Sequence, residues 1–305
     1  MKSILLIIPY FGKWPIWFEA HLISIKYNPS INWLCPTDCK IPEEHPENIK
    51  FLKTNLENLN KHVNEVVDCE VPLTPRKFCD LKPAYAHIFS EEVEVYDFWG
   101  FCDLDIIWGD IRKFITPQLL ENYDIISSRK EAISGHFNLF RNSEKLNKLY
   151  REIPNYKKLF EHPKFQWTDE KILTEFLKNK SFKKGQDVKV YWAKILLNSD
   201  SKGRAHQEYE FDKWIWEEGK VKDAITKKEV MYLHFINWKR TMKYSEIAYK
   251  DDAEKFYISF NGMHYKRHSL FKKLQRTFIN ILNGYYVKER RRKRKVWLKK
   301  IKRKL

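Results

Sequence analysis

Short apolar runs, broken by Pro, Gly and clustered charges, set the pattern of this chain. The first, Ser3 to Ile8, is continuously apolar at strand length, as expected for a central parallel strand covered on both faces. The PYFGKWP stretch after it contains Pro9, Gly12 and Pro15 and predicts a connection into a helix from Trp17 to Ile25. Ile31 to Cys35 predicts a second strand, Ile49 to Asn60 a helix, and Val63 to Val71 a further apolar segment. Pro83 at a first-turn position, with Tyr85, Ile88 and Phe89 on one face, predicts the next helix. TPQLLENYD then reads as a short helix, YDIISSR as a strand, and Ser143 to Tyr150 as a helix entered through an Asn-Ser cap. Ile172, Leu173, Phe176 and Leu177 form the apolar face of another helix, and EVMYLHFINWKR returns to strand-like alternation. Strands alternating with helices place the chain in the α/β class, with a mixed, mostly parallel central sheet flanked by helices.

One run breaks its own pattern. Tyr96 to Gly109 (YDFWGFCDLDIIWG) would be buried as a strand, yet Asp103 and Asp105 sit in its middle. In a strand, residues i and i+2 share a face, so the two carboxylates converge while Leu104 faces the core. Like charges that close raise each other's pKa, and a divalent cation removes the conflict. Oxygen ligands of this kind suit Mg²⁺ or Mn²⁺. Such acidic pairs after an apolar run occupy the place where α/β enzymes bind ligands, outside the carboxyl ends of the strands. A D-x-D triplet also arises by chance on solvated turns, and only its setting favours metal binding.

Composition narrows the reading. At 305 residues, 43% hydrophobic and 15% aromatic, the chain has the material for a large core and is not disordered. Its net charge of +17 suggests nucleic acid until it is located: Lys288 to Leu305 holds twelve Lys or Arg against one Glu, so +11 lies there and +6 on the rest. Five cysteines, without a C-x-x-C pair, suggest neither a disulfide framework nor a zinc site and fit a reducing cytosol. MKSILLIIPYFGKWP lacks a small-residue cleavage site and reads as a strand rather than a secretory leader. No apolar run reaches the roughly 18 residues that a membrane span needs.

Other residues offer chemistry beside a plainer role. The first loop lacks both glycine-rich phosphate motifs, and Tyr10 and Phe11 instead present an aromatic face for a flat base, or simply pack. Asp80 is placed to cap a helix, and Lys82 to neutralise a phosphate or hold the acidic triplet. In SGHFNLFR, Gly135 permits close approach of a sugar, Asn138 and Ser134 can bond hydroxyls, and His136 is either structural or part of the site. In WTDE, Thr168 or Asp169 can cap the following helix, with Asp169 and Glu170 in its first turn; one of the two carboxylates could instead act as a general base. His234 is a core residue or, if the triplet holds a metal, a third ligand, and Lys239 or Arg240 could meet phosphate oxygens.

Taken in order, the apolar first strand, CDLKPAY, FCDLDIIWGD, SGHFNLFR, WTDE and YLHFINWK resemble bacterial polysaccharide-locus (LPS or capsule) glycosyltransferases with a GT-A, Rossmann-like fold, over roughly residues 1–245. The resemblance implies a nucleotide-sugar donor, a UDP-sugar first, whose diphosphate is bridged by Mn²⁺ or Mg²⁺ to Asp103 and Asp105, with His234 completing the metal shell. It places Pro9, Tyr10, Phe11, Gly12, Asp80, Lys82, Leu104 and Lys239 around the donor. Trp108, Ser134, Gly135, His136 and Asn138 fall to the sugar and acceptor, and Asp169 and Glu170 to catalysis. The pattern His-aromatic-x-Gly, with Lys at a fixed distance, is altered to Ile236, Asn237 and Trp238, and Lys239 is slightly displaced.

The expected organisation is a transferase domain over 1–245, a helical extension over 246–287, and a basic tail over 288–305. In the tail Trp297, Leu298, Ile301 and Leu305 share a helical face, which suits an anionic membrane surface and an enzyme extending a lipid-linked glycan on the cytoplasmic face. Nucleic acid is not an expected partner, as no RNA module is present. The competing readings are a metal-dependent phosphoryl or nucleotidyl transferase and a non-enzymatic membrane or nucleic-acid adaptor.

Overall fold

A computed structural model describes residues 1–130, 132–179, 188–192, 212–235, 242–259 and 261–282, with scattered positions between 284 and 301. Among these residues, seven strands form the main sheet: β1 (Ile4–Ile7), β2 (Asn32–Thr37), β3 (Ile49–Lys53), β4 (Phe98–Cys102), β6 (Ile125–Ser127), β7 (Phe137–Arg141) and β8 (Val190–Trp192). They lie in the order β3-β2-β1-β4-β7-β6-β8. Neighbours pair in parallel except on both sides of β7, which runs against the rest. The protein is thus a mixed α/β structure built on a large, mostly parallel sheet.

β1 lies inside this sheet and shows why its run is continuous. Leu5 and Ile7 enter one core layer with Leu59, Val63 and Val67 of helix α2 (Leu56–Val67). Ile4 and Leu6 enter the opposite layer with Phe18, Leu22 and Ile25 of helix α1 (Phe18–Lys26). With helices on both faces, every side chain of the strand is buried.

A second sheet contains β9 (Trp214–Glu217), β10 (Lys220–Asp223), β11 (Glu229–Val230), β13 (Tyr244–Ser245), β14 (Lys255–Ser259) and β15 (Gly262–His264), ordered β11-β10-β9-β14-β15-β13. Ala20 and Ile23 of α1 pack with Trp214, Trp216, Phe256 and Ile258 of this sheet, so α1 is buried between the two sheets. A two-stranded ribbon pairs β5 (Ile106–Trp108), which follows β4, with β12 (Tyr232–His234), which follows β11 of the second sheet.

Two expectations change. The helix expected over 49–60 is strand β3 followed by α2, because pairing with β2 captures Ile49–Lys53 and Asn55, accepting from the Asn58 N–H, caps the helix only afterwards. The extension expected to be helical over 246–287 contains β14 and β15, which pair antiparallel with Ser259 opposite Gly262, and among the described residues of that stretch only Leu270–Leu282, called α3 here, is a long helix. β14 pairs with β9, so residue 245 is no boundary of that sheet.

Candidate metal and donor site

The site gathers at the carboxyl end of β4. Asp103 and Asp105 stand not on one strand but in the short connection from β4 to β5, where the backbone leaves the main sheet. The Asp103 N–H donates to the His136 carbonyl, and Leu104 is buried with its carbonyl accepting from Trp17 Nε1, so this connection is held from both sides. β12 supplies His234: antiparallel pairing sets His234 opposite Ile106, and the Phe235 N–H donates to the Asp105 carbonyl. One ligand atom from each of Asp103, Asp105 and His234 lies within 4.8 Å of the others, and His234 Nε2 is 3.6 Å from Asp105 Oδ2. Ligands on one Mg²⁺-type ion, at bond lengths of about 2.0–2.1 Å, stand about 3–4 Å apart, and the 3.6 Å between His234 Nε2 and Asp105 Oδ2 falls in that range. The Asp103 side chain is 31% exposed while Asp105 and His234 are buried, which leaves the cluster one open side.

Lys82 lies behind the acidic pair. Its ammonium is buried, 2.8 Å from Asp103 Oδ1 and 3.7 Å from Asp169 Oδ2, and it also donates to the Gly135 carbonyl. Burial opposes its charge, but the carboxylates of Asp103 and Asp169 outweigh this and hold its pKa well above the usual lysine value. Asp169 is pushed up to about 7: burial raises it most, Lys82 lowers it, and Glu170, Asp103 and Asp80 raise it further. Asp169 Oδ1 is buried without a hydrogen-bond partner among the described residues. The capping role expected for Thr168 or Asp169 is not what the structure shows. Trp167, in left-handed conformation (φ 59°), stands before the turn Thr168–Ile172, no side chain caps it, and Asp169 turns inward to Lys82.

Glu170 accepts from the Gly135 N–H at 2.9 Å and lies 3.5 Å from Arg129 Nη1. A side chain at Gly135 would meet Glu170 Oε1 at 2.9 Å and Asp169 Oδ2 at 3.0 Å, so the glycine is what lets both carboxylates approach. His136 stacks on His234, with ring centroids 4.0 Å apart, and its Nε2 is 2.9 Å from the Tyr232 hydroxyl.

The first loop reaches the same rim. Tyr10 lies past the end of β1 and pairs with Thr37, the last residue of β2, stacks on Trp14, and has its pKa raised by burial and by the charges of Cys39 and Asp105. Phe11 meets Phe78 edge-on, Pro9 is half-buried, and Gly12 is exposed at φ 108°, with its N–H bonded to Asp38.

Several expected contacts take other positions. Asp80 is fully buried and accepts from Lys77 Nζ and from the N–H groups of Gln166 and Thr168, so it ties down the segment before Asp169 and has no face open to a donor. Trp108 is fully buried against Trp33, Phe137 and Tyr232, closed to any sugar. Ser134 and Asn138 are buried and bond each other, and the Ser134 hydroxyl meets His136 Nδ1 at 2.7 Å, so they orient the histidine. Lys239 and Arg240 lie outside the described residues. Arg129 and Tyr232 were missed. Tyr232 could have been found from its i, i+2 relation to His234 on an alternating strand, whereas Arg129 carried no local signal.

The profile of a protein family described as a family of unknown function, DUF6625, matches residues 6–267. The chain belongs to this family. No curated protein matches it. Among solved structures, this DUF6625 chain is similar to mouse xyloside xylosyltransferase 1 in its apo form, at 12% identity over 53% of this chain and 72% of that one, with a TM-score of 0.32. It is also similar to the apo-form glycosyltransferase GlyE of Streptococcus pneumoniae TIGR4, at 11% identity over 63% of this chain and 45% of that one, with a TM-score of 0.35. The chain thus spans less than half the length of GlyE.

Proposed function

We propose that this protein is a GT-A-like, metal-dependent glycosyltransferase that moves a sugar from a nucleotide-diphosphate donor, a UDP-sugar first, to a hydroxyl of a cell-surface glycan or its lipid-linked precursor. The observation that carries this reading is the convergence of Asp103, Asp105 and His234 at the rim of the main sheet, open on one side and backed by Lys82 and Asp169. Asp103, Asp105 and His234 would hold Mn²⁺ or Mg²⁺, which, when bound, neutralises charge growing on the departing diphosphate. The acceptor oxygen forms a bond to the anomeric carbon while the bond from that carbon to the phosphate oxygen breaks, its electron pair leaving with the nucleoside diphosphate. Asp169 receives the hydroxyl proton in the inverting course, and its pKa of about 7 matches that task. Lys82 fixes Asp103, and the 9–12 loop offers Tyr10 and the exposed Gly12 backbone to the donor.

Amphipathic helix α3 supports a peripheral place on an anionic membrane face, here taken as the cytoplasmic one. Leu270, Phe271, Leu274, Phe278, Ile281 and Leu282 are exposed at helical spacing among lysines and arginines, and Trp297 and Ile301 in the tail are exposed as well. No described helix is long and apolar enough to cross a membrane. The test is a panel of nucleotide sugars with and without Mn²⁺, read by thermal stabilisation and by release of nucleoside diphosphate. One donor is expected to stabilise the protein only with the metal. Transfer of a phosphoryl or nucleotidyl group to an acceptor, or indifference of every donor to Mn²⁺, would overturn the proposal.

A further inference from the structure

A second cluster lies in the other sheet, apart from the donor site. Asp212 precedes β9, His264 ends β15, and His268 follows in the approach to α3; one ligand atom from each lies within 4.8 Å of the others. All three side chains are at least nine-tenths buried.

A hydrogen bond to a carbonyl fixes what the His264 imidazole presents. His264 Nδ1 is 2.7 Å from the Lys266 carbonyl, which can only accept, so Nδ1 carries the proton and the neutral ring offers a bare Nε2. That nitrogen is 3.2 Å from Asp212 Oδ1, yet the two make no hydrogen bond, and among the described residues neither atom has a hydrogen-bond partner. His268 Nε2 is 3.1 Å from the Tyr244 hydroxyl, which directs Nδ1 towards the same oxygen, at 3.6 Å. The other carboxylate oxygen, Oδ2, accepts from the His268 N–H at 3.1 Å and has Lys273 Nζ at 3.5 Å. A carboxylate oxygen and an imidazole lone pair held together in a buried place repel each other unless a cation lies between them. The separations of 3.2 and 3.6 Å bracket the value of about 3.3 Å for neighbouring ligands on a tetrahedral zinc with bonds of about 2.0–2.1 Å.

We propose that Asp212, His264 and His268 form a second metal site, for a zinc-type divalent transition ion, which clips the start of β9, the end of β15 and the base of α3 together. The H-x₃-H spacing is a zinc spacing, two nitrogens and one oxygen suit zinc better than Mg²⁺, and the Lys266 carbonyl and Tyr244 hydroxyl orient the two rings from behind. The proposal does not depend on the donor site or its chemistry.

The test uses the full chain, loaded with Zn²⁺, dialysed, and measured for metal content, in the parent, Asp105→Ala, His264→Gln and His268→Gln proteins. Retention of one zinc in the parent and in Asp105→Ala is expected, with its loss in both histidine variants, whose folding is checked by circular dichroism. Co²⁺ loaded in place of zinc should show the intense visible absorption of a tetrahedral centre in Asp105→Ala and not in His268→Gln, and a chelator should lower the Tm of the parent but not of His268→Gln. Equal zinc content in folded parent and His268→Gln, or loss of zinc from Asp105→Ala alone, would overturn the site. An imidazolium–carboxylate ion pair would show as a parent that retains no zinc.

Discussion

One short segment, Lys77–Ala84, supplies two buried ammonium groups, Lys77 to Asp80 and Lys82 to Asp103 and Asp169, and the two groupings differ in what surrounds them. Lys77 and Asp80 are 1% and 0% exposed, 3.0 Å apart, with Lys77 also donating to the Leu159 carbonyl and Asp80 accepting from two backbone N–H groups. Lys82 lies between Asp103, which is partly open, and Asp169, which keeps a buried oxygen without a hydrogen-bond partner among the described residues. The first pair is closed and saturated, so it can only stabilise. The second is left incomplete on the side where a ligand would enter, and incompletely satisfied buried groups collect at functional sites.

The strongest way to break this contrast is at the closed pair. Asp80→Ala leaves the Lys77 ammonium and two N–H groups without their acceptor and should cost about 3–5 kcal/mol in urea unfolding, with turnover lost only through unfolding. At the open cluster Asp105→Ala should do the reverse. Metal-dependent turnover should fall roughly 10²–10³-fold while the unfolding midpoint stays near that of the parent. If Asp105→Ala unfolds the protein while Asp80→Ala spares it, the two regions have exchanged roles.

Asp169 sharpens the comparison through pH. The folded chain holds this proton up to about pH 7, whereas the unfolded chain releases it near 3.8. The native state therefore binds more protons between those values, and this residue's contribution to stability is lost as pH rises through that window. Turnover that requires the carboxylate rises over the upper part of the same window. Asp169→Asn should flatten both trends, and an unchanged pH–rate profile would remove Asp169 from proton transfer. The smallest effect is expected at the rim: Arg129→Ala breaks a pair whose side chains are 40% and 35% exposed, so thermal unfolding should register less than about 1 kcal/mol.

The sequence was most legible where local spacing and tertiary position agree. β1 and β4 are continuous apolar runs because both lie inside the main sheet, and Asp103 and Asp105 interrupt such a run because they stand just past its end. They converge in a connection rather than along a strand, so their closeness reflects the bend and the pairing of β5 with β12. Asp80 was misread because its partners, Gln166 and Thr168, are distant in the chain and nothing near Asp80 announces them. Trp108 was misread because aromatic character alone does not separate a sugar platform from a core residue. The His264–His268 spacing was visible, but its third member, Asp212, comes from the far side of the second sheet's hairpins.

The ribbon of β5 with β12 sets when the cluster of Asp103, Asp105 and His234 can come into being. His234 enters it only through pairing with the strand next to Asp105, and the two residues stand 129 positions apart in the chain. A polypeptide still emerging from the ribosome therefore carries the two carboxylates of this cluster long before the imidazole, and a product ending before β12 retains the main-sheet core of β1 to β4 without the complete cluster.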